Sequence, residues 1–139
     1  MIFPDGVLSC FDFQESLARI KAKQIIIILN QCFSDQFGDI VLKLDNTVVV
    51  SQTGFAIHQT RKTLKWKNDE WPFVKCLFDG ILHNDTKGDK HSVYNAFQYM
   101  IKCNPNIEGI PTKPDQPLLK EKPQIRYGKS LNIGAVYID

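Results

Sequence analysis

Cys32 is the residue of this sequence that is best placed for covalent chemistry. It lies three positions after a run of consecutive aliphatic residues, Ile25–Leu29. A short run that is apolar at every position and rich in β-branched residues predicts a strand buried on both faces, as in a parallel sheet covered by helices. Because open α/β sheets hold their sites at the carboxyl ends of the strands, this position puts a thiol where ligands bind.

A helix is predicted directly after Cys32. Ser34 can cap this helix, and apolar residues follow with helical spacing at Phe37, Ile40, Val41 and Leu44. The helix dipole and the unpaired backbone N–H groups of the first turn would favour the thiolate form of Cys32. The alternative is that Cys32 is a small buried core residue, as most free cysteines are.

A second strand of the same type is predicted for Thr47–Gln52. Two such strands joined by a helix predict a βαβ unit, in which the strands are parallel. Ser51 and Gln52 would then end beside Cys32 at the same edge of the sheet, where they could line a substrate cleft. The alternative is that both are ordinary polar residues at the end of a strand.

The segment around Cys32 resembles the nucleophile strand of caspase-like and legumain-like cysteine peptidases (clan CD). The residues that carry the resemblance are Ile25 to Leu29, then Gln31-Cys32-Phe33-Ser34, then Phe37. Many bacterial caspase-like sequences have Gly-Gly after the Cys-Phe-Ser, where this chain has Asp35-Gln36. Weaker matches follow at Asp69 to Gly80, at His91 to Tyr99, and at Pro123-Gln124 with Gly128.

The resemblance implies a fold and a set of site residues. The fold would be α/β, a partial caspase-like three-layer sandwich with a mostly parallel sheet and flanking helices, which lacks the N-terminal strands. Cys32 would be the nucleophile of a cysteine endopeptidase that acts on a peptide or protein substrate. Gln31 would bind substrate together with Ser51 and Gln52, and no cofactor or metal is implied.

The position of the histidines departs from the resembled families, in which the catalytic histidine precedes the cysteine. The three histidines here are His58, His83 and His91, and all of them follow Cys32. His58 alone would lie near the right edge of the sheet. We therefore expect this polypeptide to be inactive on its own, because a cysteine peptidase needs a histidine to transfer the proton.

The resemblance covers the C-terminal half of the peptidase domain, which leaves one edge of the Ile25–Leu29 strand open. Proteins usually cover such an edge, so we expect a protein partner there. A separate chain could supply the histidine-bearing half. Alternatively, the chain could be a non-catalytic homologue that acts as an interaction module by strand addition. A third hypothesis is an unrelated small α/β binding protein in which Cys32 is structural.

Composition indicates an ordinary globular domain. The chain has 139 residues, of which 43% are hydrophobic and 23% are charged, which predicts one domain. Within it we distinguish residues 1–103, a proline-rich connection over 104–123, and a closing strand segment over 124–139. The net charge is +2 without a basic stripe, so nucleic-acid binding is not expected. No apolar run reaches membrane-spanning length, and the N-terminus does not have the pattern of a signal peptide.

Metal binding is not expected either. The four cysteines form no C-x-x-C pair, and the polar turn from His83 to Asp89 lacks the spacing of a calcium loop. Free thiols without secretory features predict a reducing compartment, the cytoplasm. Arg61 and Arg126 are candidate anion-binding residues only because they are the arginines that follow Cys32.

Further elements are predicted along the chain. A helix is predicted to start at Asp12, with Glu15 completing a capping box. Two more helices are predicted, one from near Asn68 or Asp69 to Phe78 and one from about Ser92 to Lys102. A last strand is predicted at Gln124–Tyr127 or at Ile133–Ile138.

Overall fold

The computed structural model describes residues 2–3, 6–56, 72–82, 92–109 and 117–138, with side chains from residue 8 onwards. The chain begins with a short antiparallel pair, β1 (Ile2–Phe3) and β2 (Gly6–Val7). Several predictions fall outside the described residues: the start of the helix predicted from Asn68 or Asp69, the three histidines and Arg61. Residues 110–116 of the proline-rich connection also lie outside them.

The described residues are organised around a mixed sheet of three strands in the order β3-β4-β5. β3 (Ile25–Ile28) and β4 (Thr47–Gln52) are parallel, with Ile25 opposite Thr47, which confirms the predicted strand pair. β5 (Pro123–Tyr127) is antiparallel to β4. Every residue of β4 is buried because it is the central strand. Of the two places predicted for the last strand, the first is the one that the chain uses.

The connection from β3 to β4 is a 3-10 helix, Ser34–Leu42, and not the α-helix that we predicted. A 3-10 run of nine residues is long, since such runs rarely exceed about four. Asp and Gly residues have low α-helix propensity, and the first turn is attached to the ends of the strands by side-chain hydrogen bonds described below. Phe37, Ile40 and Val41 nevertheless face the sheet, as the spacing predicted.

Helices cover both faces of the sheet. On one face, α1 (Cys10–Ala18) and the 3-10 helix bury a cluster formed by Leu17, Ile27, Leu29, Phe37, Ile40, Val41 and Val49. On the other face, α2 (Pro72–Leu82) and α3 (Val93–Cys103) pack on the sheet around Val48, Val50, Phe73, Leu77, Ala96 and Met100. Successive valines of β4 therefore point to opposite cores. The α/β class is confirmed in this coarse form.

The start of α1 differs from the prediction. Ser9 is the N-cap, and its hydroxyl accepts a hydrogen bond from the Asp12 backbone N–H at 3.1 Å. The Asp12 carboxylate accepts one from the Ser9 backbone N–H at 3.3 Å, which closes a capping box one turn earlier than Asp12 with Glu15 would. The prediction that Asp12 caps the helix was wrong because a preceding serine occupies the cap and Asp12 takes the third helical position.

α3 lies within one residue of its predicted bounds, whereas α2 continues to Leu82, beyond the end predicted at Phe78, because Ile81 extends its apolar face. α3 begins after Ser92, whose hydroxyl accepts from the Asn95 backbone N–H at 3.2 Å. The proline-rich connection starts with a short 3-10 turn, Pro105–Ile107. Among the described residues, no helix has the length and apolar character needed to cross a membrane.

Gly128 provides a test of how β5 closes the sheet. A Cβ at this position would overlap the backbone carbonyl of Asp45, and a backbone group cannot rotate away as a side chain can. We expect Gly128→Ala to lower the free energy of unfolding by about 2 kcal/mol, the cost of moderate overpacking. Urea denaturation followed by circular dichroism measures this change.

The matched control is Gly134→Ala, where the added Cβ would lie 3.6 Å from the Asn132 side-chain oxygen, an ordinary contact. We expect this variant to stay within about 0.5 kcal/mol of the parent protein. Equal destabilisation by both substitutions would show that the close approach of Gly128 to Asp45 does not hold the sheet together.

Candidate functional site

Cys32 lies in the turn that follows β3, at the carboxyl end of the sheet. The parallel pairing extends one residue past the strand, since the Leu29 N–H donates to the Val50 carbonyl at 2.8 Å. The chain then turns at Phe33, which has a φ of 54° and directly precedes the 3-10 helix. Cys32 is exposed, so the structure does not make it a core residue.

The sulfur of Cys32 contacts the backbone of the neighbouring loop. The Ala56 backbone N–H donates to Sγ at 3.3 Å, and Sγ lies 3.9 Å from the Ala56 carbonyl oxygen. The first contact suits a thiolate, which accepts hydrogen bonds, and the second suits a thiol, which donates one. A backbone donor directed at sulfur stabilises the negative form that acts as a nucleophile.

Ser34 joins the ends of β3 and β4. Its hydroxyl donates to the Leu29 carbonyl at 3.0 Å and accepts from the Gln52 backbone N–H at 3.1 Å. The prediction that Ser34 caps the following helix was wrong, because Phe33 holds the cap position without a side-chain hydrogen bond. The Phe33 N–H donates to the Gly54 carbonyl at 2.8 Å, which adds a further link between the two loops.

Asp35 binds two groups from different strands. Its Oδ1 accepts from the Ser51 hydroxyl and from Arg126 Nε, both at 3.0 Å, and its Oδ2 accepts from Arg126 Nη2 at 2.6 Å. The hydrogen bonds from Arg126 hold the pKa of the Asp35 carboxyl below its usual range, burial opposes this change, and the Ser51 hydroxyl reinforces it. One carboxylate therefore connects the 3-10 helix to β4 and β5.

Gly38 leaves the space through which Arg126 reaches Asp35. A Cβ at this position would overlap the Arg126 Cδ and Nε atoms. Arg126, which the sequence marked only as a candidate anion-binding residue, has its guanidinium bound to a carboxylate of the same chain. The other carboxylate near it is Asp39, whose Oδ1 lies 3.7 Å from Arg126 Nη1.

The three residues predicted to bind substrate have different environments. Gln31 is exposed and directly precedes Cys32. Ser51 is buried, and its hydroxyl is bound to Asp35. Gln52 is 0% exposed; its Oε1 accepts from the Lys122 backbone N–H at 3.0 Å, whereas its Nε2 has no hydrogen-bond partner. The structure thus brings all three to the carboxyl ends of β3 and β4 but leaves only Gln31 accessible.

Other amide side chains of the described residues also have buried polar atoms. Asn30, which follows β3, has a buried side-chain oxygen without a hydrogen-bond partner. The side-chain oxygen and nitrogen of Asn106 are also buried and have no hydrogen-bond partner. Asn104 Nδ2 donates to Glu121 at 2.5 Å, and both residues are buried. Within the described residues, no group of three or more acidic, cysteine or histidine side chains could hold a metal ion.

Sequence reasoning missed the contributions of Asp35 and Ala56. Ala56 acts through its backbone N–H, which every residue except proline carries, so no residue type could have indicated it. Asp35 was noted only as a departure from the Gly-Gly of the resembled families. A buried aspartate needs a cationic partner, and this requirement was the one signal that could have indicated an ion pair for Asp35.

The Asp35–Arg126 pair makes stability depend on pH. Because the folded-state pKa of Asp35 is lowered, its contribution is complete above the pKa of the unfolded chain, about 3.9, and is lost as the pH falls through the folded-state value. We expect Asp35→Asn to cost about 2 kcal/mol at pH 7, the range for a hydrogen bond to a charged group. The difference between the variant and the parent should shrink steadily below about pH 4.

Denaturant unfolding at several pH values measures this difference. Asp39→Asn is the control, because its carboxylate faces the same guanidinium across 3.7 Å with a side chain that is 69% exposed. An exposed pair of this kind contributes at most about 1 kcal/mol. A loss for Asp35→Asn that stays constant from pH 7 to pH 3 would contradict the assignment.

Comparison with known proteins adds no restriction to this site. No protein-family model, curated protein or solved structure matches the chain.

Proposed function

We propose that this chain is the C-terminal portion of a caspase-like or legumain-like cysteine endopeptidase, with Cys32 as its nucleophile. The observation that carries the proposal is an exposed cysteine at the carboxyl end of β3 whose sulfur accepts a hydrogen bond from the Ala56 backbone N–H. A nucleophilic thiolate needs both access and a donor that stabilises its charge.

The reaction assigns a role to each group near the sulfur. The Cys32 thiolate attacks the carbonyl carbon of a peptide bond, a C–S bond forms, and the C–N bond breaks as the amine leaves with a proton. Gln31, next to the nucleophile and exposed, would contact the substrate. Ser51 and Gln52 are buried at the end of β4, so they would hold the strand end that borders the substrate and would not contact the substrate directly.

The proton for the leaving amine requires a histidine. No histidine belongs to the described part of the chain, because positions 58, 83 and 91 all fall in its gaps. We propose that the catalytic histidine is supplied from outside this sequence, as the order of residues in the resembled families implies. The chain alone would then take up acyl groups from compounds whose leaving group departs without a proton, but it would not cleave amides.

The edge of β3 supports the second candidate, a non-catalytic homologue that binds a partner. Within the described ranges, β3 pairs with β4 alone. The backbone N–H groups of Ile25 and Leu29 donate hydrogen bonds on the β4 side. The backbone groups of Ile26 and Ile28 point to the opposite side, away from β4. Such an apolar edge can accept a strand from another chain, and that chain could also carry the histidine.

The free cysteines bear on the compartment in which the protein would act. All four cysteines are free, which suits a reducing compartment, and we propose the cytoplasm. We propose no nucleic-acid partner, because the net charge is only +2 and the sequence has no basic stripe. The proposed partners are a peptide or protein substrate and a protein that covers the β3 edge.

An activated ester tests the nucleophile without the histidine. With p-nitrophenyl acetate, the thiolate attacks the carbonyl, the acyl C–O bond breaks, and p-nitrophenolate leaves without needing a proton. We expect a burst of about one equivalent of p-nitrophenolate with the acetyl group on Cys32, because its sulfur is exposed and accepts a hydrogen bond from the Ala56 N–H. Absorbance gives the burst, and peptide mass spectrometry locates the acetyl group.

Three variants control this experiment. Cys32→Ser should abolish the burst. Ala56→Pro removes the N–H that donates to Sγ and should slow acylation about tenfold, as expected for a hydrogen bond of about 1.5 kcal/mol to a charged group. Ala56→Ser keeps the N–H and should retain the rate. Acetylation spread over the other cysteines, or a burst that survives in Cys32→Ser, would overturn the proposal and leave the interaction module as the better candidate.

A further inference from the structure

An exposed pair of aromatic rings lies next to Cys32. Phe33 is the residue after the cysteine, and Phe55 precedes Ala56, whose N–H donates to the cysteine sulfur. The two ring centroids are 5.1 Å apart with an interplanar angle of 67°, an edge-to-face contact. The hydrogen bond from the Phe33 N–H to the Gly54 carbonyl holds the two loops together at this point.

The exposure of the pair is unusual for aromatic residues in mutual contact. Phe33 is 53% exposed and Phe55 is 44% exposed. Single exposed apolar side chains are ordinary on protein surfaces, but here two rings meet at the one exposed cysteine of the chain. Covering the outer faces of these rings would gain both buried apolar area and aromatic contact.

The backbone of Phe33 is held in a conformation that a phenylalanine rarely adopts. Its φ of 54° is in the left-handed region, where glycine or asparagine is the usual residue. The hydrogen bonds of the turn fix it there, with the Ser34 N–H donating to the Gln31 carbonyl at 3.3 Å. Strain of this kind concentrates at functional sites and ligand clamps, so a bulky ring at this position needs an explanation beyond packing.

Among the described residues next to the pair along the chain, residues 31–34 and 53–56, none carries a charge. The nearest carboxylate along the chain, Asp35, is buried and bound to Arg126 and Ser51. The loop beyond Phe55 contributes Ala56, a small apolar residue. The chemistry of this surface therefore suits an apolar group rather than a charged one.

We propose that Phe33 and Phe55 form an apolar subsite that binds an aromatic or other apolar side chain of the peptide whose carbonyl Cys32 attacks. This inference rests on the proposed function, because it takes Cys32 as the point of attack. It makes the aromatic pair a determinant of substrate choice, acting through contact with a side chain adjacent to the scissile bond.

Two electrophiles that differ only by a ring test the subsite on the intact chain. N-benzyl-2-chloroacetamide and N-methyl-2-chloroacetamide carry the same reactive carbon, on which the thiolate forms a C–S bond while chloride leaves. We expect the benzyl reagent to modify Cys32 about tenfold faster than the methyl reagent, once the intrinsic ratio with a small free thiol is divided out. Peptide mass spectrometry over time gives both rates at each cysteine.

The variants separate the subsite from the nucleophile. Phe55→Ala and Phe33→Ala should each bring the corrected ratio close to one, and Phe33→Gly, which takes a positive φ without strain, should do the same if Phe33→Ala fails to fold. Phe78→Ala, which removes an exposed ring from α2, should keep the ratio. A Cys32 that reacts readily but without preference for the benzyl reagent overturns the subsite alone. A Cys32 slower than the other cysteines with both reagents overturns the proposed function as well.

Discussion

The arrangement of the site depends on one buried carboxylate. Asp35 accepts hydrogen bonds from Ser51 on β4 and from Arg126 on β5, so it attaches the start of the 3-10 helix to the other two strand ends of the sheet. A charge in this position would be costly without a partner, and the bidentate guanidinium supplies one. Because Asp35 lies only three residues after Cys32, the same contacts limit where the turn that holds Cys32 can lie.

The parallel pair of strands was predictable from the sequence, since Ile25–Leu29 and Thr47–Gln52 are apolar runs of the length and composition that buried strands require. The form of the connection between them was not. The spacing of Phe37, Ile40 and Val41 correctly indicated the face that packs on the sheet, but a 3-10 helix and an α-helix present nearly the same face over so few turns. The hydrogen bonds of Ser34 were not predicted, because its hydroxyl binds the ends of two strands and does not cap the following helix.

The position of Cys32 after a strand was predictable from the sequence, but the contacts that hold its turn in place were not. Cys32 follows from strand and turn chemistry, which are local. The Asp35–Arg126 pair joins residues 91 positions apart, and no local pattern reports which arginine will reach a given aspartate once β5 has paired with β4. The N–H of Ala56 is a backbone group, so its contact with sulfur depends entirely on the path of the loop after β4. Long-range pairing and backbone donors are therefore the features that required the structure.

In the proposed reaction Cys32 attacks a carbonyl, and proton transfer to the leaving amine needs a group from elsewhere. Within the described ranges β3 pairs with β4 alone, and the turn that holds Cys32 follows β3, so a partner strand added at this edge would bring its own residues close to Cys32. The enzymatic and the interaction proposals thus share one surface. They differ in whether the thiol reacts.

The most direct measurement is the rate of carbamidomethylation of each cysteine by iodoacetamide, resolved by mass spectrometry in the native protein and in urea. We predict that Cys32 reacts faster in the folded chain than in the unfolded chain, since folding brings the Ala56 N–H to its sulfur. Cys76 is the internal reference for protection, because burial raises the pKa of its thiol to about 11. A Cys32 that is protected by folding, as Cys76 should be, would contradict its assignment as a nucleophile.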